Sequence, residues 1–232
     1  TAAWLALLNA MPCSVVNRPM PGGRPTLLSG SPLLAKLARD HGFLLPASRC
    51  TSSQADALQQ FKAWGESAYL KPLGSIEPGQ FLYSQDGVEQ ICRVMEQQAA
   101  SLQRIPEGQQ ATVYVAGEQV VATVLRPGEG VAQPMEVLSA QAAQCLALVR
   151  ALGLDFAECQ IVINPDGGIY CLDVSTAPNF WRCPQDAQQQ IVAHLLDHLS
   201  ELRSLSHHDS SNGADGRSGA RERLRPTRSP ER

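Results

Sequence analysis

The sequence is short of several things at once. It has no apolar run near the about 18 residues that a membrane-spanning helix needs. It also lacks the charged, apolar and small-residue succession of a secretory signal, so the chain reads as soluble and cytoplasmic with no membrane partner. Its seven cysteines form no Cys-x-x-Cys pair and are odd in number, which argues against a zinc cluster and a complete disulfide framework and for reduced cytosolic thiols. There is no Gly-x-x-x-x-Gly-Lys-Ser/Thr loop, no Gly-x-Gly-x-x-Gly, no Gly-x-Ser-x-Gly and no His-Glu-x-x-His, so the common nucleotide, hydrolase and metalloprotease signatures are missing. Lysine is scarce as well. Of 19 basic residues only Lys36, Lys62 and Lys71 are lysines, so each of the three invites a reason.

What is present is a chain of 232 residues, 44% hydrophobic, long enough for one sizeable domain or two small ones. The last stretch, 204–232, has almost nothing apolar and is expected to be a disordered tail. Its six arginines against four acidic residues leave a net charge of −5 on 1–203, with no basic footprint for nucleic acid. Thr1 in place of methionine suggests a processed chain or one that has lost upstream sequence.

Hydrophobic periodicity divides the body into alternating elements. A helix is expected over 3–10 and a short strand over 13–17, followed by a Pro/Gly-rich loop over 18–30. Residues 31–41 read as a helix capped by Ser31, with Pro32 as its first residue and Gly42 as its stop. Further helices are expected over 53–64, near 86–100, over 139–152 and over 184–203. Strands are expected over 43–45, 68–71, 101–105, 111–116, 119–125, 159–164 and 169–174, with hairpin turns at Gly117 and Asp166-Gly167. Helices interleaved with antiparallel hairpins indicate an α+β class.

The block SPLLAKLARDHGFLLPASRCTSS, followed by AYLKPLGS, resembles the nucleotide-binding half of the ATP-grasp superfamily, in its RimK-type and glutathione-synthetase-like branch. The resemblance runs on through LQRIPEGQQATVYVAGEQVVATVLR and LGLDFAECQIVINPDGGIYCLDVSTAPNF, over roughly residues 13–200. It implies two α+β lobes with antiparallel sheets clasping a nucleotide. Residues 1–30 would be the end of a preceding domain, 31–100 the first lobe and 101–203 the second lobe with a metal-site hairpin.

The resemblance also implies a set of site residues. Lys36 and Lys71 match two lysines on the phosphates of ATP, each serving as a point charge, although a solvated helix-face lysine also describes Lys36 and a plain strand-end lysine Lys71; Lys62, matching no motif, reads as a solvated charge. Gly74, Ser75 and Gly79 match a flap over the phosphates, or else form an ordinary surface turn. Gln103, Arg104 and Ile105 match a strand whose backbone edge reads adenine, and Gln110 lies at a ribose contact. Arg126 matches an arginine suited to bidentate phosphate or acyl-phosphate binding, with a solvent-facing edge-strand residue as the alternative. Gln160, Asp173 and Ser175 stand where the family holds Mg²⁺, or Mn²⁺, but only one of the three is anionic. The loop 127–138 is short and Thr112 replaces an arginine.

These matches imply ATP-dependent activation of a carboxylate, of a small molecule, a peptide or a protein, as an acyl phosphate for attack by an amine. The thinned metal site keeps open a catalytically degenerate ATP-grasp module that binds nucleotide or acts as a scaffold, and a third reading is an α+β protein unrelated to nucleotides.

Overall fold

Leu34 and Ala38 sit one turn apart and are both buried, which commits their helix to the protein interior. In the computed structural model, which describes residues 16–17, 32–75, 79–126 and 132–212, this helix is α1 (Pro32–Asp40). It stops at Gly42, whose φ of +81° suits glycine. The chain then adds one residue, Leu44, as a parallel bridge beside Tyr170, where a strand over 43–45 was expected.

The first lobe is a four-stranded antiparallel sheet in the order β1-β4-β2-β3, built from β1 (Ser48–Thr51), β2 (Ser67–Pro72), β3 (Gln80–Tyr83) and β4 (Ala100–Arg104). Helices α2 (Gln54–Ala63) and α3 (Ser84–Met95) cover one face, burying Phe61, Leu70, Leu82, Ile91 and Leu102. Each such side chain contributes about 1.5–3 kcal/mol by leaving water. Ser53 caps α2 by accepting the Asp56 N–H at 3.3 Å. Strand β1 reads SRCT, without apolar alternation, and was not expected from the sequence; β3 was not expected either, and α3 is shorter than the anticipated 86–100.

The second lobe is a five-stranded antiparallel sheet, β7-β6-β5-β8-β9, made of β5 (Gln109–Ala116), β6 (Gln119–Leu125), β7 (Gln133–Pro134), β8 (Phe156–Ile163) and β9 (Ile169–Ser175). Its outer face packs on α1 and on α4 (Ser139–Leu152), burying Val113, Cys145, Leu148, Cys159, Ile161 and Cys171. The two strand cysteines are buried and free, as their apolar settings suggest. Part of the opposite face packs on α5 (Gln185–Asn212) through Ile191 and Ala187. This helix runs past residue 203, the end expected for it, while 213–232 lie outside the described residues. The expected elements at 3–10 and 18–30, most of the strand 13–17, and the Ser31 cap also lie outside them.

Where the two sheets face each other, Tyr69, Val162 and Leu172 form a small buried cluster, joined by Phe81, Ile105 and Tyr170. This contact fixes which residues meet between the lobes.

Candidate functional site

Alternation along β2 sends Tyr69 and Lys71 to the same face, opposite the helices that cover Ala68 and Leu70. Across the gap, β9 carries one extra residue: Gln160 pairs with Asp173 and Ile161 with Cys171, leaving Leu172 unmatched. This bulge lets Leu172 face the other lobe while Asp173 keeps its place beside Gln160. The Leu172 carbonyl accepts the Gln103 side-chain amide at 2.9 Å, tying the lobes together.

Lys71 and Asp173 meet at the centre. Nζ lies 2.8 Å from Oδ2, with the side chains 1% and 0% exposed. The same oxygen accepts the Tyr69 hydroxyl at 3.2 Å and the Gly79 N–H at 3.3 Å. Burial and the nearby carboxylates hold the Tyr69 pKa well above its ordinary value, so it remains a donor. The other Asp173 oxygen, Oδ1, is buried with no hydrogen-bond partner. Gly79 is needed here for space, because a Cβ would lie 2.5 Å from the Tyr69 ring.

A second polar chain runs along the sheet. Arg126 donates from Nε to Thr112 Oγ1 at 2.9 Å, Thr112 donates to Gln160 Oε1 at 3.1 Å, and Gln160 donates from Nε2 to Glu158. Glu158 also accepts the Asn179 N–H at 2.7 Å and lies 3.7 Å from the Arg126 guanidinium. Burial raises the Glu158 pKa above its ordinary value, partly offset by the Asn179 N–H, Arg126 and Gln160. The sequence reading missed Glu158. Its position two residues before Gln160, hence on the same face, was the available signal.

The expected residues divide clearly. Lys71, Asp173, Gln160, Ser175 and Arg126 belong to this interlobe network or to the strand positions adjoining it. Lys36 does not: it is exposed and bonds Asp40 at 2.6 Å, one turn along α1. Gln103 and Arg104 do not form an open backbone edge, since β4 is an interior strand and the Arg104 N–H is used by Ala47 O at 2.8 Å. That expectation is corrected: Gln103 works through its side chain, Arg104 is exposed, and Ile105 joins the interlobe cluster. Gln110 bonds the Tyr83 hydroxyl at 2.7 Å, a further bridge between lobes. Gly74 and Ser75 form a turn after β2, with Gly74 at φ +84°, and 76–78 lie outside the described residues.

Beside this network, a cavity of about 430 Å³ opens between α1, residues 45–48 and β4, with Ser101, Gln103 and Leu172 in its wall. The size lies within the range usual for small-ligand sites.

No family model and no curated protein matches the sequence. Solved structures do match. The ATP-grasp ligase PsnB, complexed with precursor peptide PsnA2 and AMPPNP, superposes with a TM-score of 0.58 at 20% identity over 86% of this chain and 68% of that one. This chain has the ATP-grasp fold. A Chryseobacterium gregarium RiPP-associated ATP-grasp ligase, in complex with ADP and a leader and core peptide, gives a TM-score of 0.56 at 13% identity, over 86% of this chain and 66% of that one. D-alanine–D-alanine ligase from Bacillus anthracis, complexed with ATP, gives 0.54 at 17% identity, over 78% and 65%. The chain therefore spans about two-thirds of the length of the proteins it resembles.

The fold family implies a divalent ion. Among the described residues no group of three His, Cys, Asp or Glu side chains is assembled to hold one. The partnerless Asp173 Oδ1 nonetheless provides one buried anionic oxygen. Mg²⁺ is commonly held by one or two carboxylates, with nucleotide phosphates and water completing the shell, so the residues fit a single-carboxylate site.

Proposed function

We propose that this protein is an ATP-dependent carboxylate–amine ligase. ATP lies between the lobes and its γ-phosphoryl passes to a substrate carboxylate, releasing ADP. An amine then attacks the acyl phosphate, losing a proton and expelling phosphate, and an amide results. The observation that carries this reading is the buried ammonium of Lys71, aimed between two ATP-grasp sheets at the Asp173 strand. Catalysis of this type is mostly positioning and charge neutralisation, and needs no protein nucleophile.

Each residue has a defined part. Lys71 offsets phosphate charge, exchanging some of its contact with Asp173 for a phosphate oxygen. Arg126, held from behind by Thr112 and Glu158, directs its remaining N–H groups at the transferring phosphoryl. Gly74 offers its backbone N–H to the phosphates beside Ser75, whose own N–H bonds the Pro72 carbonyl at 3.3 Å, while Ile105 and Gln110 border the nucleoside end. Asp173 would hold Mg²⁺ or Mn²⁺ through Oδ1, with Ser175 and Gln160 as neutral oxygens nearby, and the ion would neutralise phosphate charge. Lys36 is assigned no part, because it stands exposed on α1, outside the Lys71–Asp173 network. The substrate we propose is a peptide carboxylate, since PsnB and the Chryseobacterium ligase are both complexed with peptides. The six described cysteines are free, which agrees with a cytoplasmic setting.

A second reading, a nucleotide-binding module without turnover, rests on the same ion pair: Lys71 already neutralises the one carboxylate of the metal hairpin. Incubation with ATP, Mg²⁺, acidic peptides and hydroxylamine separates the two. The ligase produces ADP and a peptide hydroxamate in step, and Lys71→Ala abolishes both. Nucleotide binding without either product supports the module, and a large gain of turnover in Gln160→Asp/Ser175→Asn would then mark a site that has decayed.

A further inference from the structure

Half of the large hydrophobic side chains that stand exposed among the described residues are gathered in one place. Trp181, 73% exposed, and Leu196, 59%, flank Val192, 40%, in a groove of about 430 Å³ along the outer side of α5. The remaining wall is Gln185, Gln188, Gln189 and Ala193, so the groove carries no charged side chain. This face lies about a quarter turn around α5 from the Ile191–Leu195 stripe that packs on the sheet. An apolar groove with an uncharged polar rim is the usual mark of an interaction surface.

The sequence has a matching segment just before the described residues Val16 and Asn17. Val16 packs against the same cluster as Phe180 and Leu195, and the Phe180 ring stacks on Trp181 with centroids 4.9 Å apart. Asn17 anchors this point. Its side chain accepts the Asp155 and Phe156 N–H groups at 2.8 and 2.9 Å and donates to Phe156 O and Thr176 O. Val16 thus stands next to Phe180, whose ring lies against Trp181 in the groove wall. The sequence before Val16, TAAWLALLNAMPCS, has no charged side chain, and Trp4, Leu7, Leu8 and Met11 recur at i, i+3, i+4 and i+7. From Met11 to Val16 the chain spans at most about 17 Å, more than the roughly 10 Å width of a helix.

We propose that residues 3–11 of this chain form an amphipathic helix that docks its Trp4–Leu7–Leu8–Met11 stripe into the Trp181–Val192–Leu196 groove, as a strap over the C-terminal helix. The matching lack of charge, the anchored Asn17 and the short connection select this segment over a separate partner. The surface lies away from the Lys71–Asp173 network, so the proposal stands whatever that site does.

The test places the photo-crosslinker p-benzoylphenylalanine at Val192 in the full chain and maps its products by mass spectrometry over a hundredfold range of concentration. The expected product joins Val192 to residues 3–11 within one chain, with a yield independent of concentration. Leu7→Asp/Leu8→Asp should cut that yield at least tenfold, while Asn9→Asp, off the stripe, leaves it unchanged. A crosslinked dimer that rises with concentration would overturn the proposal in favour of self-association. It is equally overturned if no product includes residues 3–11, or if the double variant keeps the crosslink. The near-ultraviolet circular dichroism of each variant reports the integrity of the body.

Discussion

Burying Lys71 against Asp173 removes two ions from water, and the mutual attraction offsets that loss only while both partners stay in place. Removing one of them leaves an uncompensated buried charge. Lys71→Met is therefore expected to cost about 3–5 kcal/mol in urea unfolding, whereas the double change Lys71→Met/Asp173→Leu recovers most of that stability. If the double variant were as unstable as the single one, the ion pair would not be the source of the loss. Nucleotide affinity should fall in both variants, which separates stability from function at this pair.

Glu158 lends itself to a pH experiment. Its pKa in the folded chain is raised above the ordinary 4.5, chiefly by burial, so between 4.5 and the raised value the folded state holds a proton that the unfolded state has lost. Glu158 thus lowers stability as pH rises through that window. Urea midpoints measured from pH 4 upward should show Glu158→Gln gaining on the parent as pH rises. Parallel curves would contradict the assigned burial. Arg126 provides the control, because loss of its guanidinium should push the Glu158 transition further up.

At the scale of elements, the parts legible in the sequence are those where one face is strongly apolar. Helix α4 falls on the expected residues 139–152, and β6 on 119–125, since both are framed by clear turn or cap chemistry. The turn at Gly117 does have positive φ, +56°, as a hairpin of that sequence requires. Strand β1 was invisible because Ser48, Arg49 and Cys50 are exposed and show no period of two, so only pairing to β4 makes them a strand. The site was half legible. Lys71, Asp173 and Arg126 could be found from linear motifs, but the ion pair between them depends on how two sheets meet, and the β9 bulge at Leu172 leaves no mark in the sequence. Tyr69 and Glu158 each lie two residues from a residue that was singled out, and strand alternation pointed to them unread.

Two elements make sharp predictions of their own. Asn17 makes four side-chain hydrogen bonds, to Asp155 and Phe156 at the start of β8 and to Thr176 just after β9, so Asn17→Ala is expected to lower stability by about 2 kcal/mol in thermal or urea unfolding. Gly108, at φ +144°, lies in the connection from β4 to β5, and a Cβ there would come within 2.2 Å of the Ile163 carbonyl oxygen. Gly108→Ala should therefore displace the start of β5 and cost more than the about 1 kcal/mol typical of a mild backbone misfit. A variant as stable as the parent would contradict the close approach.

For the whole molecule, the likeness to PsnB and to D-alanine–D-alanine ligase speaks to fold, and the proposed nucleotide contact rests on Lys71, buried between the lobes. The scarcity of lysine makes that position informative: of three in the chain, Lys71 is the one buried between the lobes, while Lys36 and Lys62 lie on helix surfaces. No helix among the described residues is long and apolar enough to cross a membrane. The central claim is that ATP binds between the two sheets on Lys71. Titration of the protein with ATP and Mg²⁺ in a calorimeter, beside Lys71→Ala and Lys36→Ala, tests it most directly. Saturable binding to one site, weakened at least tenfold by Lys71→Ala and unchanged by Lys36→Ala, is the predicted result. An absence of binding heat at millimolar ATP, confirmed by equilibrium dialysis, or equal affinity in the Lys71→Ala variant, would contradict it.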